Sequence, residues 1–345
     1  MSPPLAPTES AVAAAPAPDN EARRRLASWV SLAGGLIVFV AKMAGWQLTG
    51  STALLSDGLE SIVNVVAAGF AIFSIRFAAM PADRDHPYGH GKIEFLSAAF
   101  EGGLIFFAAA MIFYSAVGSL LEGPSVHEVD HGLTIAVGAG VLNLVLGWWV
   151  RREGRQTGSV TLIADGEHIL SDVWTTAGVV VGLGLVMFTG IAWLDPLVAL
   201  AMGLLLARTG FRLVRDAANA LLDREDPELL ERLVGAFNEA PVQGITNVHR
   251  LRAIRSGDLV HVDAHVFVPS HWTVRQAHEA VVSLERWMAS RASFRGELAL
   301  HLDPCHSRVC ASCDLGDCPV RAEPSGGRRR LSTEEAVGPT GLARP

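Results

Sequence analysis

The sequence is short of charged residues. Of its 345 residues, 18% are Asp, Glu, Lys or Arg and 50% are hydrophobic, whereas soluble domains carry about 25% charged residues. This deficit excludes an ordinary soluble enzyme and a disordered chain. The formal net charge of −7 excludes a globally basic protein that binds nucleic acid.

Cysteine and the common nucleotide and protease motifs are also scarce or absent. All four cysteines fall within fourteen residues, so no disulfide framework spans the chain. The sequence contains no Walker motif, which argues against a transporter or enzyme driven by ATP. It contains no His-Glu-x-x-His motif, which argues against a zinc protease of that type.

Charged residues are scarcest in six long apolar stretches. A helix that spans a bilayer needs about 20 mostly apolar residues, and each stretch meets or nearly meets that length. The first stretch is too long, and begins too late, to be a cleavable signal peptide. The sequence therefore predicts a membrane α-helical domain over residues 25–215, with six transmembrane helices at about 27–49, 51–78, 95–121, 132–150, 159–188 and 191–213.

The loops between these stretches predict their orientation. Basic residues precede the first stretch and follow the second, fourth and sixth, whereas the loops after the first, third and fifth contain none. Because basic loops stay in the cytoplasm, both termini are predicted to be cytoplasmic. This alternation argues against a large soluble all-helical protein. The basic residues are Arg23, Arg24, Arg25, Arg84, Lys92, Arg151, Arg152, Arg155, Arg212 and Arg215.

The remaining segments differ in composition from the apolar part. Residues 1–24 and 321–345 are rich in Pro, Ala, Gly or Arg and are predicted to be disordered tails. Residues 216–304 show the pattern helix, strand, strand, helix, strand, which predicts a cytoplasmic α+β domain (αββαβ, ferredoxin-like). A Cys-rich segment follows at 305–320.

Two of the apolar stretches contain polar residues at helical spacing. Ionisable groups at membrane depth cost roughly 2.5–3.5 kcal/mol each on insertion scales, so they indicate function. The pairs Glu60/Asn64 and His168/Asp172 are each four residues apart and therefore share a helix face, and Asp57 lies one turn before the first pair. Two facing helices could surround one divalent cation, with zinc, iron or manganese compatible with these ligand types. The alternative is a helix cap or an interhelical hydrogen bond.

Three motifs resemble the cation diffusion facilitator family over residues 25–305. They are Gly50-Ser51 through Ser56-Asp57, the loop from Asp83 to Lys92 with its Gly-His-Gly-Lys, and His168-Ile169-Leu170-Ser171-Asp172. The resemblance, which includes bacterial iron and zinc efflux members, implies a six-helix antiporter of metal ions and protons that works as a homodimer. The family's transport-site positions fall on Glu60, Asn64, His168 and Asp172.

Two of these positions depart from the family's usual pattern. Zinc members usually offer His or Asp, then Asp, on the second helix, where this chain has Glu60 and Asn64. An amide in place of a carboxylate removes one negative charge and one proton acceptor from the site. Zinc remains the first expectation for the ion, followed by ferrous iron or manganese. His168 is the expected coupling group, because imidazole titrates near physiological pH.

The resemblance implies two further metal sites and one ion pair. One metal site is the loop set Asp83, His86 and His90; the other is a cytoplasmic set at the dimer interface, comprising His249, His265, His278, His301 and Asp303. The alternative for the loop set is histidines bonded to solvent or phospholipid, and the alternative for the cytoplasmic set is histidines satisfied at the surface or in the core. Lys92 and Asp223 are expected to pair where the membrane domain meets the cytoplasmic domain.

The four cysteines predict a metal site that the resemblance does not cover. The cytoplasm keeps thiols reduced, and four thiolates close together in a chain can wrap one zinc ion tetrahedrally. The alternative is a set of free thiols. The residues are Cys305, Cys310, Cys313 and Cys318.

Together these observations predict an efflux transporter that exchanges a divalent metal for protons. Its expected setting is a bacterial plasma (inner) membrane, its partners are the lipid bilayer and a second copy, and it needs neither nucleotide nor nucleic acid. Zn²⁺, or Fe²⁺ or Mn²⁺, would be both substrate and regulatory ligand. The alternatives are a membrane-anchored metal-sensing dimer without net transport, and an intramembrane metallo-enzyme.

Overall fold

The chain folds into two compact units. The computed structural model describes residues 18–49, 52–122, 132–191, 193–292 and 294–339. The first, the helical unit, is Pro18–Leu222, and the second, the C-terminal unit, begins at Asp223. Composition predicted that the membrane domain ends at residue 215. The two units divide later, after Leu222, because the sixth helix continues through its charged end to Leu221.

The helical unit contains six long helices in the described residues. Three of them include segments long and apolar enough to cross a membrane, namely Asn20–Ala44, Ile93–Leu121 and Pro196–Leu221. Six spans therefore remain a prediction. The helices are α1 (Pro18–Thr49), α2 (Thr52–Ala78), α3 (Ile93–Glu122), α4 (Gly132–Thr157), α5 (Val160–Thr189) and α6 (Leu194–Leu221).

The first helix begins earlier than composition predicts. It starts at Pro18, inside the segment 1–24 that was expected to be disordered. Proline suits the first turn of a helix because the N–H it lacks has no intrahelical partner there. Arg23 then binds Glu153 at 2.8 Å, which anchors this extra length on the end of α4. Residues 1–17 lie outside the described part.

One end of the helical unit is held by a buried ion pair. Arg24 lies 3.5 Å from Glu94, and their side chains are only 12% and 2% exposed. Glu94 also accepts a 2.6 Å hydrogen bond from Ser159, which caps the start of α5. Since a buried charge needs a partner, this network holds the starts of α1, α3 and α5 together at one end.

Close approach of helix backbones positions α5. A Cβ on Gly166 would lie 2.6 Å from the backbone nitrogen of Arg151, so only glycine allows α4 and α5 to approach this closely. Gly210 faces the carbonyl of Gly102 in the same way, at 2.7 Å, between α3 and α6. Gly166 precedes His168 by two residues, so the close approach of α4 fixes the backbone of the α5 segment that carries His168.

The C-terminal unit shows the predicted order of elements. Strand β1 pairs antiparallel with β2, and β2 pairs parallel with β3, in the order β1-β2-β3. This is a three-stranded mixed sheet, and the ferredoxin-like comparison remains a prediction. The elements are α7 (Pro227–Asn238), β1 (Val248–Ser256), β2 (Leu259–Val268), α8 (Val274–Ala292) and β3 (Gly296–Pro304).

One face of the sheet carries the hydrophobic core. Alternate residues of β2, such as Val262 and Val266, are buried with Phe237 of α7 and with Leu284 and Met288 of α8. Since successive strand side chains point to opposite faces, the intervening residues of β2 lie on the face away from the two helices.

The prediction of a disordered tail from residue 321 is wrong for residues 321–338, here called the C-terminal strap. Leu331 and Ala336 are buried in the core of the C-terminal unit. Asn238 exchanges two 2.9 Å hydrogen bonds with the backbone of Leu331. Composition missed the strap because isolated apolar residues in a Gly- and Arg-rich segment show no period. Residues 340–345 lie outside the described part.

Polar contacts complete the attachment of the strap. The Arg328 guanidinium lies 4.8 Å above the ring of Phe237 and donates to its carbonyl at 2.9 Å. A capping box formed by Ser332 and Glu335 starts the short helix α9 (Thr333–Val337). The carbonyl of Gly338 then accepts a 2.9 Å hydrogen bond from the backbone of β1.

Candidate metal centres

Helices α2 and α5 bring Asn64, His168 and Asp172 together, and these three residues are called the membrane cluster. The Asn64 carboxamide oxygen lies 2.8 Å from His168 Nε2, and its amide nitrogen donates to Asp172. His168 and Asp172 share a face of α5 because they are four residues apart, and both are buried. The side chains of the other predicted positions, Glu60 and Asp57, lie outside the described residues.

A small cavity with polar and apolar walls adjoins the membrane cluster. Its volume is about 20 Å³, enough for one water-sized or ion-sized occupant. Four helices, α1, α2, α4 and α5, contribute to its wall. The polar residues that line it are Ser31, Ser61, Asn64, Asn143, Asp165, His168 and Asp172.

Two buried carboxylates lie beside His168 and are not among the site residues predicted from the sequence. Asp165 is 2% exposed and lines the cavity. Glu101 of α3 is fully buried, and its Oε2 lies 4.0 Å from His168 Nδ1. Both Glu101 carboxylate oxygens and His168 Nδ1 lack a hydrogen-bond partner among the described residues.

The sequence did contain a signal for both carboxylates. Asp165 precedes His168 by three residues and Asp172 by seven, so it shares their helix face. Glu101 is an ionisable residue inside an apolar stretch, which the cost of charge at membrane depth marks as functional. Its proximity to His168 joins α3 to α5 and therefore depends on the tertiary structure.

Asp83, His86 and His90 form the loop cluster between α2 and α3. Asp83 lies 3.2 Å from His86 Nδ1 and 3.3 Å from His90 Nε2. The His90 side chain is buried against the ring of Phe77, whereas Asp83 and His86 are about half exposed. The backbone N–H of His86 lowers the pKa of Asp83, with further hydrogen bonds acting in the same direction. An ionised carboxylate beside two imidazoles suits a divalent cation.

The sheet cluster is His249, His265, His301 and Asp303. His265 stands opposite His249 on β1 and opposite His301 on β3, so the register alone aligns the three imidazoles. Asp303 lies 3.1 Å from His249 Nε2, 3.0 Å from His265 Nδ1 and 3.5 Å from His301 Nε2. These residues occupy the sheet face away from α7 and α8.

The electrostatics of the sheet cluster favour a cation. Burial lowers the pKa of His249, which keeps its imidazole neutral and able to ligate. Burial acts to raise the pKa of Asp303, but the hydrogen bond from His265 and the neighbouring histidines outweigh it and lower that pKa. The cluster therefore combines neutral imidazole with an ionised carboxylate.

His278 does not lie with the other predicted members of this set. It is exposed on α8, whose buried residues pack on the opposite face of the sheet. Sequence spacing could not reveal this, because it does not state which face of the sheet a helix covers. Within one chain, four of the five predicted residues converge.

The four cysteines, here called the cysteine cluster, share one cavity. Its volume is about 20 Å³, and Gly244, Pro269 and Arg321 also line it. All four cysteines are free thiols, with Cys310 buried and the others partly buried. Burial raises the pKa of the Cys313 thiol. The loop and sheet clusters each contain three residues whose ligand atoms lie within 4.8 Å of one another. Among the described residues, no three cysteine sulfur atoms lie that close together.

Lys92 and Asp223 belong to different compact units. Lys92 immediately precedes α3, and Asp223 begins the C-terminal unit with a φ of 58°. Their pairing remains a prediction.

Two family models together cover most of the chain. Residues 28–222 match the cation efflux transmembrane domain, and residues 226–305 match the cation efflux protein cytoplasmic domain. Three of the four cysteines, Cys310, Cys313 and Cys318, lie beyond both matches, and so does the strap.

Individual relatives agree with these matches. A protein named as an uncharacterised transporter of Synechocystis sp. is 37% identical, covering 80% of this chain and 88% of its own length. The cation-efflux pump FieF of Pectobacterium atrosepticum is 31% identical, covering 81% and 92%. Metal tolerance protein C1 of Arabidopsis thaliana is 30% identical, covering 81% and 61%. The chain therefore belongs to the cation diffusion facilitator family, whose members are cation efflux transporters and not enzymes.

Proposed function

We propose that this protein exports a divalent metal cation from the cytoplasm in exchange for protons. The observation that supports the proposal most directly is the membrane cluster, in which side chains of two apolar helices converge on an ion-sized cavity. Its proposed form is a homodimer in the plasma (inner) membrane, with six spans and cytoplasmic termini.

The ligand chemistry of the membrane cluster supplies the coupling. Metal ligation needs neutral imidazole and ionised carboxylate, so the ion and protons compete for His168 and Asp172. The amide oxygen of Asn64, which now faces His168, is a third donor. Metal binding from one side releases protons, and protonation on the other side releases the metal.

Glu101 is proposed to orient His168. When Nε2 ligates a metal, the imidazole carries its proton on Nδ1, and the Glu101 carboxylate lies 4.0 Å from that atom. A carboxylate that accepts the second N–H of a ligating histidine fixes the ring and strengthens the ligand. Glu101 would therefore act through His168 and would not touch the ion.

The charges near the cavity bear on which ion is carried. Asn64 removes one negative charge from the usual ligand set, but Asp165 and Glu101 place buried carboxylates beside His168. Such an oxygen-rich site with one imidazole suits zinc and also accepts Fe²⁺ or Mn²⁺. We propose zinc first.

The sheet cluster is proposed to regulate the dimer. It lies on the sheet face that the helices α7 and α8 leave uncovered, and it combines three imidazoles with one carboxylate. A metal held there would neutralise that face and strengthen association with a second copy.

Transport in proteoliposomes tests the proposed function. Zn²⁺, Fe²⁺ and Mn²⁺ would be supplied separately under a pH gradient, with a metal-sensitive and a pH-sensitive dye. We expect metal uptake with opposite proton movement, lost in His168→Ala and kept in His271→Ala, a matched change at an exposed histidine. Metal binding without flux would favour the alternative, a membrane-anchored metal-sensing dimer.

A further inference from the structure

The cysteine cluster is not used by the proposed transport cycle. Its four residues follow β3 directly and surround a cavity with room for one ion. We propose that the cysteine cluster binds one structural zinc ion. This ion is not transported, and it holds the C-terminal strap against the core of the C-terminal unit.

The local backbone prepares these residues to converge. The Cys305 N–H donates to the Val268 carbonyl at 2.8 Å, and the N–H of Ser270 points to Cys305 Sγ at 3.4 Å. Asp314, next to Cys313, accepts from the Gly244 N–H at 2.8 Å. The two loops that flank the cavity are thus attached to the cysteine-bearing segment.

The ligand type fits zinc. Four cysteines ligating as thiolates form the tetrahedral set of closed structural zinc sites, and all four are free to ligate because none is in a disulfide. A closed set leaves no open position for exchange, in contrast to the loop cluster with its three residues. The sulfur atoms are more widely spaced than the ligand atoms of the loop cluster, so zinc would draw them together.

The start of the strap is hydrogen-bonded to the cysteine-bearing segment itself. Ser325 donates to the carbonyl of Cys313 at 2.6 Å, and Gly326 donates to the carbonyl of Ala311 at 2.8 Å. Arg321, which lines the cavity, donates from its backbone to the Cys318 carbonyl at 3.3 Å. A metal that holds the cysteines in place would therefore also hold the first residues of the strap in place. The later strap residues Arg328 and Leu331 contact the core of the C-terminal unit.

Cobalt substitution of the purified full-length protein tests whether the thiolates bind one ion. We expect a thiolate-to-cobalt charge-transfer band that saturates with one Co²⁺ per chain and disappears when Zn²⁺ is added. The band should persist in His265→Ala, which damages the sheet cluster alone, and disappear in Cys310→Ser/Cys313→Ser. Absence of the band in the wild-type protein would overturn the proposal.

Thiol alkylation of the unmodified chain avoids any question of misfolded variants. With free Zn²⁺ at about ten times its dissociation constant, alkylation of the four cysteines should slow about tenfold, because only the metal-free fraction reacts. Equal alkylation rates with and without Zn²⁺ would contradict the site.

Hydrogen exchange measured on the same samples tests whether the ion holds the strap. Chelation should speed exchange of the strap amides, including that of Leu331, and leave α6, which carries no residue of any of the four clusters, unchanged. If zinc protects the cysteines from alkylation but chelation leaves the exchange of the strap amides unaltered, the cysteines bind zinc without fixing the strap. That result would contradict the proposed role of the ion. None of these readouts depends on transport, so failure here is distinct from failure of the proposed function.

Discussion

Asn64 is the residue at which the two helices of the membrane cluster meet. Its amide offers oxygen to His168 and hydrogen to Asp172, so it satisfies both ligands with one uncharged group. Buried polar groups are costly when unpaired, and this bridge pairs His168 Nε2 and the Asp172 carboxylate. The same geometry leaves His168 Nδ1 facing Glu101.

Glu101→Gln is predicted to weaken metal binding at the membrane cluster. Loss of the carboxylate beside His168 Nδ1 should lower the affinity about 10- to 100-fold, the usual effect of removing such a partner. Metal titration of the detergent-solubilised protein would measure it, with Ser97→Ala as a buried control one turn away on α3. Rescue by Glu101→Asp would support the orienting role, and unchanged affinity in Glu101→Gln would contradict it.

Asp226 combines a helix cap with an ion pair. It accepts hydrogen bonds from the N–H groups of Glu228 and Leu229 and lies 2.6 Å from Arg255. Burial acts to raise the pKa of Asp226, but Arg255 and the helix N–H groups outweigh it and lower that pKa. The charged form thus stabilises the start of α7.

Asp226→Ala should destabilise α7 by about 1 kcal/mol, the usual value of an N-cap. Asp226→Asn, which still caps, should cost less. Because the folded pKa is depressed, the charge contribution is fully present above the unfolded value near 3.9 and is lost as pH falls through the folded pKa. Hydrogen exchange of α7 at a series of pH values measures this, with Glu225→Ala as control; equal exchange in Asp226→Ala and Glu225→Ala would refute it.

At the scale of the elements, the contact of α4 with α5 sets the position of His168. Gly166 allows that contact, because any Cβ there would lie 2.6 Å from a backbone nitrogen. Gly184, farther along the same helix, has no atom of the described part of the chain within 4 Å of such a Cβ. The two glycines offer a matched pair for substitution.

Gly166→Ala should destabilise the helical unit by about 1–3 kcal/mol, the range for overpacking. Gly184→Ala should leave stability unchanged or raise it by up to about 1 kcal/mol, since alanine favours helix over glycine. Thermal unfolding of the full-length protein in detergent compares them. Equal melting temperatures for the two variants would show that the close approach does not matter.

The elements themselves were largely predictable. Runs of apolar residues predicted α1 to α6, and alternation predicted β1, β2 and β3, because both periods follow directly from how side chains leave the backbone. The strap was not predictable, since Leu331 is buried and is hydrogen-bonded to Asn238, which lies 93 residues away in the chain. Helix α1 extends beyond its apolar run, and Arg23 in this extension forms an ion pair with Glu153 of α4.

At the scale of the whole molecule, local rules account for contacts within three of the clusters, whereas the approach of Glu101 to the membrane cluster requires tertiary contact. Helical spacing predicts that His168 lies near Asp172, and loop proximity predicts the pairing of Asp83 with His86. Strand register aligns His265 with its neighbours. The approach of Glu101 to His168 follows from none of these rules, because it requires α3 to pack beside α5.

Association of two copies is predicted to depend on the sheet cluster. Zn²⁺ should tighten the dimer of the full-length protein, and His265→Ala should remove this effect, because His265 stands between the other two histidines. Sedimentation in detergent with and without Zn²⁺ measures it. His271→Ala is the control, and a zinc effect that survives His265→Ala would place the regulatory site elsewhere.

The strap has a practical consequence for where this protein can be cut. The match to the cytoplasmic domain of the family ends at residue 305, which invites truncation at that point. A chain shortened there would uncover the ring of Phe237 and leave the Asn238 side chain without its backbone partners. A soluble fragment for crystallisation should therefore extend at least to Gly338, and affinity tags belong beyond it.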